Sequence, residues 1–339
     1  MPPVPPPSRC SRPLDGYGLG TLARGEGHRL HVHDRLGSTN TEALDLFRAG
    51  EAGPLWIVAR RQDSGRGRRG NAWLSEAGNL TASLLWPVDA IDPAQVPTLG
   101  FVAGVALVAA LKRATEGGSL ALVGGGSADQ GRRGSPLLKG EGQGEVRDLS
   151  GNGPHLTPAL SVQEREAPNP EIRSDVDGAL CASKFFDLKW PNDVLSSGAK
   201  LAGLLLEAES RPGGGRAVVM GFGVNVAATP QGLPYRATCL RQRGYDTRAE
   251  DLFVQLTDTI VDAARLWDGG RGFSGIRERW IADAAGIGAP VSVRTGDTLV
   301  HGIFETIDEA GRLVVRSEDG TRRTVTAGEV HLGTAATAA

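Results

Sequence analysis

The 339-residue chain reads as an α+β protein: a mixed sheet with helices, followed by a short all-β region. Two observations carry this reading. Strand-length apolar runs and segments of helical period follow one another without the regular alternation of a doubly wound sheet. After Gly288 the texture changes to brief β-rich runs separated by turn residues. A chain of this length suits one sizeable core and one small extra domain.

Residues 1–27 are rich in Pro and Gly and show no sustained period, so they read as a loose arm. Leu30, Val32 and Asp34 then alternate with His31, His33 and Arg35 as a short strand. Gly37-Ser38-Thr39-Asn40 opens an amphipathic helix, with Ser38 or Thr39 as N-cap and Ala43, Leu44, Leu46 and Phe47 at helical spacing. Residues 56–59 and 80–86 are apolar strands flanking a Gly/Arg-rich segment, and 97–114 is a helix apolar nearly all round. Residues 117–184 have no aromatic residue, a triple glycine at 124–126 and many prolines, which marks a flexible insertion. Lengthening a loop from about 6 to about 60 residues costs only about 2 kcal/mol, so a stable domain tolerates it. Strands follow at 187–190, 201–208 and 217–226, and helices at 249–267 and 273–282. Beyond these, Val291 and Val293, then 300–304, 313–316 and 324–325 are short strands, and Asp319-Gly320 is a hairpin signal. They suggest a small SH3-like barrel. The expected domains are an arm at 1–27, a main domain at 28–286 interrupted at about 117–184, and a barrel at 287–334.

Lysine and arginine total 37 against 39 acidic residues, a net charge of -2, with no global basic excess to draw the chain onto nucleic acid or an anionic membrane. Cys10, Cys181 and Cys239 are odd in number and lack CxxC spacing, which disfavours disulfides or structural zinc and suits a reducing cytoplasm. His31, His33 and the other histidines have no ligand partners at useful spacing, so no metal site is expected. The apolar run 99–111 is too short for a span of about 20 residues, and residues 1–13 contain no signal-type apolar stretch.

Gly65-Arg66-Gly67-Arg68-Arg69-Gly70 formally matches GxGxxG after a strand. No helix follows, because Asn71-Ala72-Trp73-Leu74-Ser75 leads to Gly78 and another strand, and arginines would crowd a turn built for close backbone approach. The other readings are a solvated basic loop, or a pliable loop presenting forked donors to carboxylate and phosphate oxygens. Lys189-Trp190-Pro191-Asn192-Asp193 places a cation, a rigid corner, an amide and a carboxylate at a strand end. Lys200 leads the apolar run Leu201-Ala202-Gly203-Leu204-Leu205-Leu206-Glu207, and Gly221-Phe222-Gly223-Val224-Asn225 adds two glycines and an amide. Singly, each block is an ordinary edge or junction.

Together with Ser38, Thr39, Asn40 and Gln62, these blocks resemble the biotin-protein ligases of the monofunctional type, across nearly all the chain outside the arm and the insertion. The resemblance implies a main domain related to class II aminoacyl-tRNA synthetases and an SH3-like domain. It also implies the activity: biotin and ATP, with Mg²⁺, give biotinyl-5'-AMP, and biotin passes to a lysine of a biotin carboxyl carrier protein of acetyl-CoA carboxylase or a related carboxylase. By this likeness Ser38, Thr39, Asn40 and Gln62 hold the fused rings of biotin, while Arg66, Gly67, Arg68 and Lys200, with Gly203, face its carboxylate and the α-phosphate. Arg68, Arg69, Trp73, Lys189, Asn192 and Asn225 lie toward the nucleotide. Arg66, Arg68, Lys200 and Asp193 are the expected catalytic set, with Asp193 orienting the acceptor amine or taking its proton.

The family usually carries an arginine after the loop's last glycine where this chain has Asn71, which points to weaker retention of the intermediate. The implied partners are the carrier protein and, as an option, a second copy in a homodimer, with no nucleic acid and no membrane. A lipoate-protein ligase and a biotin-responsive DNA-binding repressor are the rivals. The first is disfavoured by the Gly/Arg loop and the Lys189 block, the second because nothing before Arg29 reads as a helix-turn-helix.

Overall fold

The computed structural model describes residues 16–116 and 185–332. The insertion read at about 117–184, residues 1–15 of the arm, and Cys10 and Cys181 lie outside them. Elements run α1 (Thr21–Gly25), β1 (Arg29–Leu36), α2 (Thr39–Arg48), β2 (Leu55–Gln62), β3 (Leu80–Pro87) and α3 (Leu99–Thr115) before the insertion. After it come β4 (Asp187–Lys189), β5 (Asp193–Ser196), β6 (Ala199–Ser210), β7 (Arg216–Val224), α4 (Ala249–Trp267) and α5 (Phe273–Ala282). The C-terminal strands are β8 (Pro290–Thr295), β9 (Thr298–Ile307), β10 (Leu313–Arg316), β11 (Arg322–Val325) and β12 (Glu329–Leu332).

The first sheet has seven strands in the order β1-β2-β3-β7-β6-β5-β4. Only β1 and β2 run parallel; the other pairs are antiparallel, so the sheet is mixed as expected. Period-two alternation divides its faces. Leu80, Ala82 and Leu84 of β3, Ala202 and Leu204 of β6, and Met220, Phe222 and Val224 of β7 join one core with α3, α4 and α5. On the opposite face Leu55, Ile57, Leu85 and Val219 pack under α2 through Ala43, Leu44 and Phe47. Ser38 caps α2 by accepting from Thr41 N (3.4 Å), a bond typically worth about 1 kcal/mol. Because α2 covers only part of its face, the neighbouring stretch of sheet stays open to form a cleft.

Residues 16–27 correct the expectation of a loose arm. Tyr17, Leu19 and Ala23 are buried in the main core, and Gly20 N donates to Thr257 Oγ1 (2.8 Å). Asp258 of α4 accepts from Thr21 N and Ala23 N (both 3.1 Å), supplying the cap that α1 lacks locally. A Cβ on Gly20 would lie 2.1 Å from Asp258 Oδ1, so glycine is what lets the turn sit against that carboxylate.

The helical segment Val96–Thr115 exceeds the expected apolar run and is long and apolar enough to cross a bilayer; 67% of its most apolar window is buried inside the fold, as in a core helix. Cys239 is free and buried. The C-terminal strands form an antiparallel sheet ordered β11-β10-β9-β8-β12 around Val293, Phe304, Ile307, Leu313 and Val315. Trp190 Nε1 donates to Gly311 O (3.1 Å), and Arg277 Nε donates to Ile307 O (2.7 Å), tying this domain to the first.

Candidate active site

The open face of the seven-stranded sheet floors a cleft of about 1040 Å³, walled by the N-terminus of α2, the Gly/Arg loop, the Lys189 block and β12. Its floor is made by small residues. Gly203 of β6 pairs with Gly223 of β7, and the Trp73 indole lies close against both. A Cβ on Gly223 would stand 2.3 Å from Trp73 Cε2, and one on Gly203 would stand 3.2 Å from Cζ3.

At one end a polar chain runs inward. Thr39 donates through N and Oγ1 to Gln62 Oε1 (2.7 and 3.0 Å). Buried Ser83 of β3 lies within hydrogen-bond reach of Thr39 Oγ1 (2.7 Å) and Asn40 Oδ1 (2.6 Å). Asn40 Nδ2 donates to Glu207 Oε2 (2.8 Å), and Glu207 faces Arg66 Nη2 at 3.3 Å. A Cβ on Gly221 would fall 2.3 Å from Asn40 Oδ1, so glycine is required there as well. Ser83 and Glu207 had no assigned role from sequence; the weak signal is polar residues recurring at alternate positions in otherwise apolar strands.

The Gly/Arg loop is a pinned hairpin. Arg66 bridges to Ala72, Gly67 N donates to Asn71 O (2.7 Å), and Trp73 N donates to Gly65 O (2.8 Å). Gly70 adopts φ +78°, in the left-handed region where glycine carries no Cβ penalty. Arg68 Nη1 donates to Asn192 Oδ1 (3.2 Å), whose Nδ2 donates to Leu204 O (2.6 Å), so the Asn192 amide orients Arg68. The Arg69 side chain lies outside the described residues. Asn71 lines the cleft.

Lys200 Nζ is 2.8 Å from Asp193 Oδ1, and it stands 5.9 Å from the Trp73 ring centroid and 5.3 Å from that of Tyr235. Lys189 lies one strand away, opposite Asp193 in the β4–β5 ladder. Burial pushes its ammonium below the usual lysine range; the Asp193 carboxylate opposes this, the Lys200 ammonium adds to it, and the Glu329 carboxylate opposes it. Glu329 belongs to β12, which is not among the strands or site segments expected from sequence.

Asn225 is the expected site residue that does not line the cleft. It is 3% exposed beneath the floor, where Nδ2 donates to Thr238 O (3.1 Å). Since β7 ends at Val224, the alternation that turns Gly221 and Gly223 to the cleft no longer governs position 225. Among the described residues no three His, Cys, Asp or Glu side chains gather as a metal site.

The arrangement therefore joins a hydrogen-bonding pocket at Ser38, Thr39, Asn40 and Gln62 to a cationic stretch at Arg66, Arg68, Lys189 and Lys200. Residues 32–134 match the Biotin/lipoate A/B protein ligase family, and residues 286–333 match the Biotin protein ligase C terminal domain. The chain is 32% identical over 307 residues to the biotin--[acetyl-CoA-carboxylase] ligase of Paracoccus denitrificans, covering 88% of this chain and 98% of that protein. It is 24% identical over 332 residues to the bifunctional ligase/repressor BirA of Bacillus subtilis (strain 168), covering 96% of this chain and 80% of that protein. The biotin protein ligase of Aquifex aeolicus, solved in complex with biotin and ATP, shares the fold with a TM-score of 0.61 at 20% identity, covering 90% of this chain and 98% of that one. With a 32% identical relative matched over nearly its whole length, the chain belongs to the biotin protein ligase family.

Proposed function

We propose that this protein activates biotin with ATP and transfers it to a lysine of a biotin carboxyl carrier protein of acetyl-CoA carboxylase. The observation that carries the proposal is one cleft in which a neutral polar pocket meets the cationic side chains Arg66, Arg68, Lys189 and Lys200. In the first step a biotin carboxylate oxygen attacks the α-phosphorus of ATP, the bond to the β-phosphate bridging oxygen breaks, and pyrophosphate leaves. Two anions must approach, so fixed cations that lower their repulsion and hold them in line do most of the work. Arg66, Arg68 and Lys200 take the carboxylate and α-phosphate, while Lys189 and Arg69 serve the nucleotide side. Asn192 acts by holding Arg68, and Trp73 offers its indole on the glycine floor. Gly67 and Gly203 keep the approach to these groups open.

In the second step the neutral acceptor amine attacks the acyl carbon, the bond to the phosphate oxygen breaks, and AMP departs as the amine loses a proton. Asp193 is the nearby carboxylate for that proton, and its pairing with Lys200 gives it a part in the first step too. Asp193 and Glu207 already face cations. Mg²⁺ would come with the ATP substrate and offset part of its phosphate charge.

The polar pocket favours the ureido ring of biotin, whose donors and acceptor can join the hydrogen-bond chain of Thr39, Asn40, Gln62 and Ser83, over the dithiolane of lipoate, which offers that chain no donor. The relation to class II aminoacyl-tRNA synthetases, the SH3-like character of the five C-terminal strands, cytoplasmic location, a homodimer option and the absence of a nucleic-acid partner belong to the same reading. Incubation with ATP, Mg²⁺, biotin and a carrier domain, followed by mass analysis, tests it. A biotinyl adduct on one carrier lysine is expected; no adduct, or preferential loading of lipoate in competition, overturns it. A gel shift with and without biotin tests the repressor alternative.

A further inference from the structure

Tyr235 is 46% exposed at the cleft rim, yet its place is fixed. Lys200 N donates to Arg236 O and Thr238 N donates to Lys200 O (both 2.9 Å), with Lys200 and Ala237 in parallel bridge register. These bonds hold Tyr235 beside the lysine as firmly as a neighbouring strand would. Its ring centroid lies 5.3 Å from Lys200 Nζ, and the Trp73 centroid lies 5.9 Å away, both within the roughly 6 Å over which an aromatic face attracts an ammonium. Asp193 Oδ1 completes the surroundings at 2.8 Å.

We infer that Tyr235 is a positioning residue for adenylation: with Trp73 it forms an aromatic clip that holds the Lys200 ammonium in place for the incoming α-phosphate. A carboxylate alone would hold the ammonium by partly cancelling the charge that the reaction needs. Aromatic faces attract a cation through the ring quadrupole and add no formal negative charge. The clip therefore restricts a long, flexible side chain while leaving its charge available to an anion. It is the phenyl face, not the hydroxyl, that meets Lys200. This inference rests on the reading that Lys200 serves the first step.

The test is biotin-dependent ATP–pyrophosphate exchange in the full chain carrying Tyr235→Phe, Tyr235→Leu, or phenylalanines of increasing fluorination at position 235. Fluorine weakens the ring quadrupole while nearly preserving shape. Tyr235→Phe is expected to retain the unsubstituted kcat. The fluorinated series should fall stepwise toward Tyr235→Leu at about tenfold lower kcat. The thermal midpoint should stay unchanged throughout, since the ring is exposed. A flat fluorine series, or Tyr235→Leu matching Tyr235→Phe, overturns the clip. A flat series beside an inactive Lys200→Ala variant overturns the clip alone. Absence of biotin-dependent exchange in the unsubstituted protein, or full exchange in Lys200→Ala, overturns the functional reading and the clip together.

Discussion

Lys200 and Asp193 form an ion pair of 2.8 Å between side chains that are 21% and 19% exposed. The pairing follows from a β-bulge: the β5–β6 register shifts between Val194 and Leu195, so Asp193 stands opposite Gly203 while Leu195 stands opposite Lys200. Glycine at 203 leaves room for the lysine stem, since a Cβ there would lie 3.4 Å from Lys200 Cε. On the proposed mechanism this pairing would tie Asp193 to the first chemical step as well as the second.

Lys200→Ala should lower biotin-dependent ATP–pyrophosphate exchange by about 10²- to 10³-fold, the usual loss for one preorganised charge-stabilising group. Asp193→Asn should lower the same exchange by about tenfold, because the ammonium loses the anion that orients it. A residue acting only as base in the transfer step would leave exchange untouched and slow single-turnover transfer from preformed biotinyl-AMP. Comparing the two assays on Asp193→Asn separates these roles.

Glu207 links the two ends of the cleft, accepting from Asn40 Nδ2 at 2.8 Å and facing Arg66 at 3.3 Å. Arg66 must leave or share this carboxylate to receive a ligand anion. Glu207→Gln keeps an acceptor for Asn40 but removes the charge. It should therefore leave the KM for biotin within about twofold and change the release of biotinyl-AMP without acceptor by about three- to tenfold. Glu207→Ala also removes the nearer acceptor of Asn40 Nδ2, leaving Leu205 O at 3.4 Å, and should raise the KM for biotin by about tenfold. Equal biotin KM values in the two variants would show that Glu207 does not hold Asn40.

Legibility followed the distance over which each feature is determined. The helices Ala249–Trp267 and Phe273–Ala282 could be read to their ends, because apolar residues recur at helical spacing throughout. Strands β5 and β12 are not among the expected elements: each has only two apolar residues, whereas the equally short β10 carries the run Leu313-Val314-Val315. Residues 16–27 looked structureless because their anchors, Thr257 and Asp258, lie 237 residues further along for two of the bonds. The charged blocks of the site were conspicuous, with Arg66, Arg68, Lys189 and Lys200 all lining the cleft. Ser83 and Glu207 were not, as only the β3–β7–β6 order brings them beneath α2. The expected strand 217–226 runs two residues past the end of β7 at Val224, and Asn225, placed toward the nucleotide by the family resemblance, is buried there.

His28 gives the fold an acid-sensitive point. Its ring is 7% exposed, and Nδ1 accepts from the indole of fully buried Trp56 at 3.1 Å. Burial pushes the imidazole below its usual value of 6.5, with Glu26 opposing. The folded state thus holds His28 neutral, and this contribution is complete above about pH 6.5 and lost as pH falls through the lower folded value. The thermal midpoint should decline on acidification below about pH 6.5. His28→Gln retains an acceptor for Trp56 and does not titrate, so its midpoint should fall less steeply over the same range, after a constant penalty of about 1 kcal/mol. Parallel slopes for the two proteins would remove His28 from the acid response.

Glu329 gives the C-terminal domain a specific hold on the cleft, because β12 lines it and the Glu329 carboxylate supports the charge of Lys189. Lys189 faces three charged groups: Asp193 and Glu329 raise its proton affinity, while Lys200 lowers it, all against a larger effect of burial that favours the neutral amine. Only the protonated form attracts a polyphosphate, so the KM for ATP should rise at alkaline pH as Lys189 loses its proton. Glu329→Gln removes one of the two supporting carboxylates and should shift that rise to lower pH without changing the KM for ATP near neutrality by more than about twofold. Lys189→Arg keeps its charge across the same range and should abolish the rise, with a raised KM from imperfect geometry. Measuring the KM for ATP from about pH 7 to about pH 10 in the three proteins decides it. An unshifted alkaline limb in Glu329→Gln would mean that the C-terminal domain does not reach Lys189 through this carboxylate.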